Sequence, residues 1–156
     1  MTIFSKGYTR FIVLGFIIDQ ITKMMAQTNL SFFEPTEVIP NVLQFQLVNN
    51  FGAAYGILQN QRFFLLGIGL IVLAGCYVFR SKLGTSTWSR LGLSFLMIGI
   101  AGNVFDRLWR GFVIDFIDIH VIPVFNLADV CINIGMALFI LELFAPRGTQ
   151  KHRRRR

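Results

Sequence analysis

Charged and amide side chains recur at helical spacing inside stretches that are otherwise apolar. Asp19 and Lys23 are four residues apart, on one helix face and in the favourable acid-before-base order. Asn103 lies three residues before Asp106 and four before Arg107. Asn126, Asp129 and Asn133 share a face at three- and four-residue spacing. Asp129 also falls in the first turns of its predicted helix, where the dipole favours an ionised carboxylate. Ionisable groups within a membrane span are costly and usually face a bundle interior or a wet cavity, so each is a functional candidate.

The residue types limit the chemistry. A serine nucleophile needs a His or Lys base; His120 has no Ser in motif context, and Lys23 is committed near Asp19. Transition-metal sites recruit His or Cys, yet the two His are scattered and no His-Glu-x-x-His occurs. The sequence therefore predicts no metal and no cofactor, although an oxygen-only magnesium site stays open on composition. No phosphate-binding G-x-x-x-x-G-K-[ST] is present. Paired carboxylates remain. Two Asp about 3 Å apart cannot both ionise, so together they keep one proton. The ionised member takes a proton from water, and the protonated member hydrogen-bonds to the carbonyl under attack. Asp19, Asp106, Asp115, Asp118 and Asp129 offer several pairs, and spacing alone does not choose among them.

Each of these residues also has a plainer reading. Asp19–Lys23 could be a neutralising pair, and Asp106 with Arg107 and Arg110 a structural ion cluster. Gly99, Gly102 and the Gly52–Gly56 pair could only let backbones approach. Trp109 and Tyr8 read as interfacial anchors, and His120 as an isolated exposed residue. Packing alone does not explain why so many carboxylates and amides gather toward one face.

The elements that must position these groups follow from composition. Of 156 residues 54% are hydrophobic and only 15% charged, against about 25% charged in an ordinary soluble domain. Disorder needs low hydrophobicity and a disulfide scaffold needs many cysteines, so both are excluded. Cys76 and Cys131 lie inside apolar runs and read as small buried hydrophobes. A spanning helix takes roughly 20 apolar residues, and four stretches qualify, at about 8–25, 63–79, 91–105 and 125–144. They leave no room for a separate soluble domain, so residues 1–156 form a single integral membrane unit. Asp19, Gln20 and Lys23 directly after the first apolar run, without a cleavage motif, argue against a removed signal peptide.

Basic residues cluster before the first stretch, between the second and third, and after the fourth, whereas seven of the eight acids fall toward the opposite side. The positive-inside rule then puts both termini and the tail at 147–156 in the cytoplasm. The net charge of +7 reads as topology and as affinity of Arg153–Arg156 for anionic headgroups, with no nucleic acid implied. The outer segment at about 27–62 is too long for a simple turn. Leu43, Phe45 and Leu47 alternate with Gln44 and Gln46, which is strand periodicity. Pro35 and Pro40 punctuate its start, and Asn49-Asn50-Phe51-Gly52 reads as a turn. In the segment at 106–124, Phe112-Val113-Ile114 and Phe116-Ile117 suggest further short strands, and Pro123 restricts the chain before the last helix. These strands could pair into a small shelf at the membrane face.

Five motifs occur in order: Asp19-Gln20-Ile21-Thr22-Lys23, Asn50-Phe51-Gly52-Ala53-Ala54, Gly99 to Arg107, Gly111-Phe112-Val113-Ile114-Asp115-Phe116 and Phe125-Asn126-Leu127-Ala128-Asp129. In these the chain resembles the bacterial lipoprotein signal peptidases (signal peptidase II), a family of intramembrane aspartyl proteases. The resemblance implies four transmembrane helices with a small extracytoplasmic β-cradle and a short outer helix or loop. It implies an endopeptidase of the bacterial cytoplasmic membrane, working near the outer face; nothing about the site requires a partner chain, so a monomer is expected. The substrate would be a diacylglyceryl-modified prolipoprotein, cut just before its lipidated Cys. Matched position by position, the catalytic dyad falls on Asp115 and Asp129. Asp19, Lys23, Asn50, Gly52, Asn103, Asp106, Arg107, Asn126 and Ala128 fall on supporting and substrate-binding positions. Tyr55 departs from the Phe usual after Ala-Ala, and the tail 151–156 matches no motif. The alternative reading is a small proton- or ion-coupled carrier. Such a carrier should hold its charges near the bilayer midplane between repeated halves, and no repeat is present.

Overall fold

The computed structural model describes residues 6–53 and 57–144. Tyr55, Gly56 and the basic tail at 147–156 lie outside the described residues. The elements run α1 (Lys6–Asn29), β1 (Thr36–Ile39), β2 (Leu43–Asn50), α2 (Arg62–Val78), α3 (Arg80–Leu83), α4 (Thr87–Trp109), β3 (Val113–Asp118) and α5 (Leu127–Phe144). Each apolar stretch found in the sequence lies within one of the long helices, except that Phe79 and residues 125–126 fall outside. Two of them, Thr87–Trp109 and Leu127–Phe144, are long and apolar enough to cross a membrane, and Arg62–Val78 is a shorter apolar helix.

Helix α4 starts four residues before the apolar run at 91. Its beginning is fixed by a capping box in which the Ser86 hydroxyl accepts from the Ser89 backbone N–H and Ser89 returns a bond to Ser86. Helix α4 is the central element, packed against α1, α2 and α5. A core of Cys76, Leu93 and Met97, with Ile12, Leu73 and Phe139 against it, joins α1, α2, α4 and α5. The cysteines are free and buried, as their setting predicts.

The contact of α4 with α5 is close enough to need glycine. A Cβ on Gly135 would lie 2.8 Å from the Gly92 carbonyl oxygen, and one on Gly99 would land on the Ala128 carbonyl oxygen. Small residues allow this backbone approach, and here it fixes the height of the first turn of α5 against α4.

The three strands form one antiparallel sheet in the order β1-β2-β3. Strand β2 follows the alternation read from Leu43 to Leu47, but it continues through Asn49 and Asn50, so the turn begins only at Phe51. The two runs around Phe112 and Phe116 make a single strand, β3. Strand β1 has no counterpart in the sequence reading. All of its residues are exposed, so it carries none of the alternation that marks a half-buried strand. A bulge on β2 separates the Phe45–Ile117 pair from the Val48–Asp115 pair, and such an extra residue re-aims the side chains beyond it. The sheet is anchored by Leu47, Ile114 and Phe116, packed around Ala26 near the end of α1. The described part of the expected outer helix or loop is turn, closed by Ala53 N–H to Ile57 O at 2.8 Å and Asn60 N–H to Phe51 O at 3.1 Å.

Candidate active site

Strand β3 carries Asp115 into the interior, where it is 2% exposed. The start of α5 brings Asp129 beside it. Asn126 links the two. Its side-chain Nδ2 donates to Asp115 Oδ1 at 2.6 Å, and its backbone N–H donates to Asp129 Oδ2 at 3.2 Å. The same Asn126 accepts through Oδ1 from the Asp129 backbone N–H at 3.0 Å. Asn126 and Asp129 therefore form a reciprocal capping box, with Asn126 before the helix and Asp129 in its first turn. Two further amides complete the set: Asn50 Nδ2 donates to Asp115 Oδ2 at 2.8 Å, and Asn103 Nδ2 to Asp129 Oδ1 at 2.8 Å. Every oxygen of the pair thus accepts from an amide. Burial pushes the Asp115 carboxyl up, the negative charge of Asp129 pushes it further, and the Asn50 and Asn126 amides pull it only part of the way back, leaving it at about 7.

Both carboxylates line a cavity of about 830 Å3, together with Asn50, Asn103 and Arg107. Val130 and Ile134 on α5 and Ile122 and Phe125 before it supply an apolar flank. The site thus joins two interacting carboxylates to a mainly apolar cleft, a combination suited to water activation beside an apolar substrate.

Behind the cavity lies a second layer, in which Asp19, Lys23 and Asp106 are fully buried. Lys23 Nζ is 3.0 Å from Asp19 Oδ2, 2.9 Å from Asp106 Oδ2 and 3.1 Å from Asn103 Oδ1. One ammonium thus meets three acceptors, so Lys23 is more than the partner of Asp19. Arg110 pairs with the other Asp106 oxygen, which balances two cations against two carboxylates. Gln20 ties the cluster together by donating to Asp19 at 3.0 Å and accepting from Arg110 at 2.9 Å. Lys23 also fixes the Asn103 amide, because an oxygen held by the ammonium leaves the Nδ2 end for Asp129.

The ion cluster expected around Asp106 therefore includes Arg110 but not Arg107. Arg107 donates instead to the Gly52 carbonyl at 2.9 Å and stays bonded to the Asn103 carbonyl at 3.4 Å. Gly52 contributes its backbone to the site, and its Cβ position is closed by the Ile57 carbonyl oxygen at 2.7 Å. Ala128 is fully buried where α5 meets α4, against Gly99 and Gly102. His120 is not isolated: its backbone N–H donates to Asp118 Oδ1 at 2.7 Å and its ring lies 3.6 Å from Oδ2. Burial pushes the Asp118 carboxyl up, but the His120 N–H and the Gln44 amide outweigh it and hold the group below its ordinary value. Asp118 does not line the cavity.

Arg62 escapes sequence reasoning. Its guanidinium donates to the carbonyls of Arg107 at 2.7 Å and Leu108 at 3.0 Å, closing the C-terminal end of α4 beside the outer turn. A basic residue opening an apolar run was the available signal, and it reads equally well as a membrane-edge charge.

The architecture matches a solved bacterial membrane enzyme with a TM-score of 0.87 and 32% identity, over 98% of this chain and 96% of that one. Fold and site together define a membrane-embedded enzyme with an acidic centre. The chain belongs to the signal peptidase II family, whose model matches residues 11–145. It is similar to a lipoprotein signal peptidase of Clostridium novyi, 37% identical over 140 residues that cover 84% of this chain and 95% of the relative. It is also similar to that of Pseudomonas aeruginosa, 34% identical over 145 residues and 86% of each chain. Membership of a peptidase family displaces the carrier alternative.

Proposed function

We propose that this protein is the endopeptidase that removes the signal peptide from diacylglyceryl-modified prolipoproteins, with Asp115 and Asp129 as its catalytic dyad. The observation that carries the assignment is the hold of one residue, Asn126, on both carboxylates at the wall of one cavity. One carboxylate takes a proton from water as the water oxygen bonds to the peptide carbonyl carbon, while the carboxylic acid gives its proton to the carbonyl oxygen. The resulting gem-diol collapses when the first carboxyl returns a proton to the leaving nitrogen and the second recovers one from a diol hydroxyl. The C–N bond breaks and the dyad regains its starting state. Arg107, Asn103 and Asn50 hold the dyad and the carbonyls around it in a site with little water.

The four long helices act as four spans of the bacterial cytoplasmic membrane, with both termini inside and the sheet at the outer face. Residues 1–156 work as one unit and as a monomer. A substrate anchored by two acyl chains then enters sideways, with its scissile bond at the depth of the dyad. The basic tail meets anionic headgroups. The test is cleavage by purified protein in detergent of a diacylglyceryl-modified prolipoprotein and its unmodified counterpart. Cutting of the modified form only, before the lipidated Cys by mass spectrometry, supports the proposal. Equal cutting of both forms, or a cut elsewhere, refutes the substrate assignment.

A further inference from the structure

The two dyad members have different surroundings. Asp115 sits on a strand, 2% exposed, with no helix end to favour its charge. Asp129 sits in the first turn of α5, where the unpaired N–H groups and the dipole favour an anion, and it is more exposed than Asp115. Of the carboxylates acting on the Arg107 guanidinium, Asp129 acts most strongly, then Asp115, then Asp106. The cations that act on Asp115 are Lys23 and Arg107; Lys23 is itself engaged with Asp19 and Asp106 at 3.0 and 2.9 Å, and Arg107 is acted on more strongly by Asp129. Strand β2 presents only the neutral Asn50 amide.

Resting on the dyad reading above, we propose that Asn126 is a positioning residue that holds an asymmetric dyad in register: as the N-cap of α5 it holds Asp129 as the ionised base, and as the tether of Asp115 it aims the acid that burial and the facing Asp129 charge keep protonated. A backbone N–H inside a capping box is a donor in any state of the site, so it suits a permanent carboxylate. The Asn126 amide cannot turn over, because its oxygen is committed to the Asp129 N–H at 3.0 Å and its nitrogen to Asp115 at 2.6 Å. That nitrogen also lies 3.3 Å from the Asn103 oxygen, which Lys23 fixes in turn. In the reaction, Asp129 takes the proton of the attacking water and later delivers it to the leaving nitrogen. Asp115 protonates the carbonyl oxygen and recovers that proton on collapse. Each turnover therefore ends in the protonation state in which it began.

Asn126→Ser keeps an N-cap oxygen for α5 and the backbone N–H to Asp129 but removes the donor to Asp115. The amide favours ionised Asp115, so its loss should move the alkaline limb of the kcat–pH profile up by about one pH unit, with kcat at neutral pH down about tenfold or more and KM little changed. A uniform loss of activity with an unmoved limb would mean that Asn126 is merely structural and would overturn the proposal. An infrared pH titration without substrate decides independently, also if the Ser variant does not fold. The carbonyl stretch of a protonated carboxylic acid, lost as pH rises through neutrality, should vanish in Asp115→Asn; in Asp129→Asn it should persist, with its loss moved to lower pH because the Asp129 charge is gone. The reverse pattern refutes the assignment. Because this readout needs no cleavage, it stands or falls separately from the peptidase reading, which fails only if the unaltered protein does not cut lipidated substrate.

Discussion

Replacing Asp115 by Asn should make the protein more stable at alkaline pH while removing its activity. The carboxyl is raised from 3.8 to about 7, so between those values the folded chain keeps a proton that the unfolded chain releases. The stability it contributes is fully present below about pH 4 and is lost as pH rises through about 7. At a little over 1 kcal/mol per pH unit, the loss reaches about 4 kcal/mol at pH 8. The variant escapes that loss but pays elsewhere. Asn50 and Asn126 both donate to Asp115, at 2.8 and 2.6 Å, and a replacement amide accepts from only one of them. A donor facing a donor costs about 1–3 kcal/mol, leaving a net gain of about 2 kcal/mol at pH 8 and a net loss of similar size near pH 4. The assay is unfolding by SDS in mixed micelles, followed by circular dichroism at several pH values. The stability curves of the two proteins should cross between about pH 4 and 7. Parallel curves would refute the reasoning, since they would mean that Asp115 is not a buried acid retaining its proton.

Other substitutions probe the surrounding layers. Lys23→Met leaves Asp19 and half of Asp106 buried without their ammonium, so unfolding free energy should fall by about 3–5 kcal/mol. Pairing the change with Asp19→Asn should recover part of that loss in the same micelle titration. Gly99→Ala places a methyl against the Ala128 carbonyl and should cost about 1–3 kcal/mol, with a fall in kcat because the displaced turn carries Asp129. Arg62→Ala removes both side-chain bonds to the end of α4; a loss of about 1–2 kcal/mol should appear in thermal melts. A chelator should leave the cleavage rate unchanged, and restoration of a lost rate by added metal would contradict a carboxylate-only centre.

Much of the site was legible because its groups are local in the chain. The four-residue step from Asp19 to Lys23 and the three-residue step from Asn126 to Asp129 are helical spacings, and both become direct contacts. The Leu43–Leu47 alternation gave β2 because one of its faces packs on Ala26 and Phe116. What stayed hidden depends on contacts between distant elements. Nothing near Asp106 indicates that Lys23, on another helix, rather than the adjacent Arg107, meets its second oxygen. The exposed β1 carries no burial pattern, and the length of β2 depends on pairing with β3 through Asn50 and Val113. The choice of Asp115 over Asp118 is likewise tertiary. Both lie on β3, but only Asp115 turns toward the start of α5.

The most direct test of the dyad is the single-turnover cleavage rate of lipidated prolipoprotein by Asp115→Asn, Asp129→Asn and the double variant, with folding checked by circular dichroism. Two groups acting as one unit are lost together, so each single variant should be as inactive as the double. A folded single variant that cuts at the rate of the unaltered protein would show that its carboxylate takes no part, and the dyad would have to be sought elsewhere.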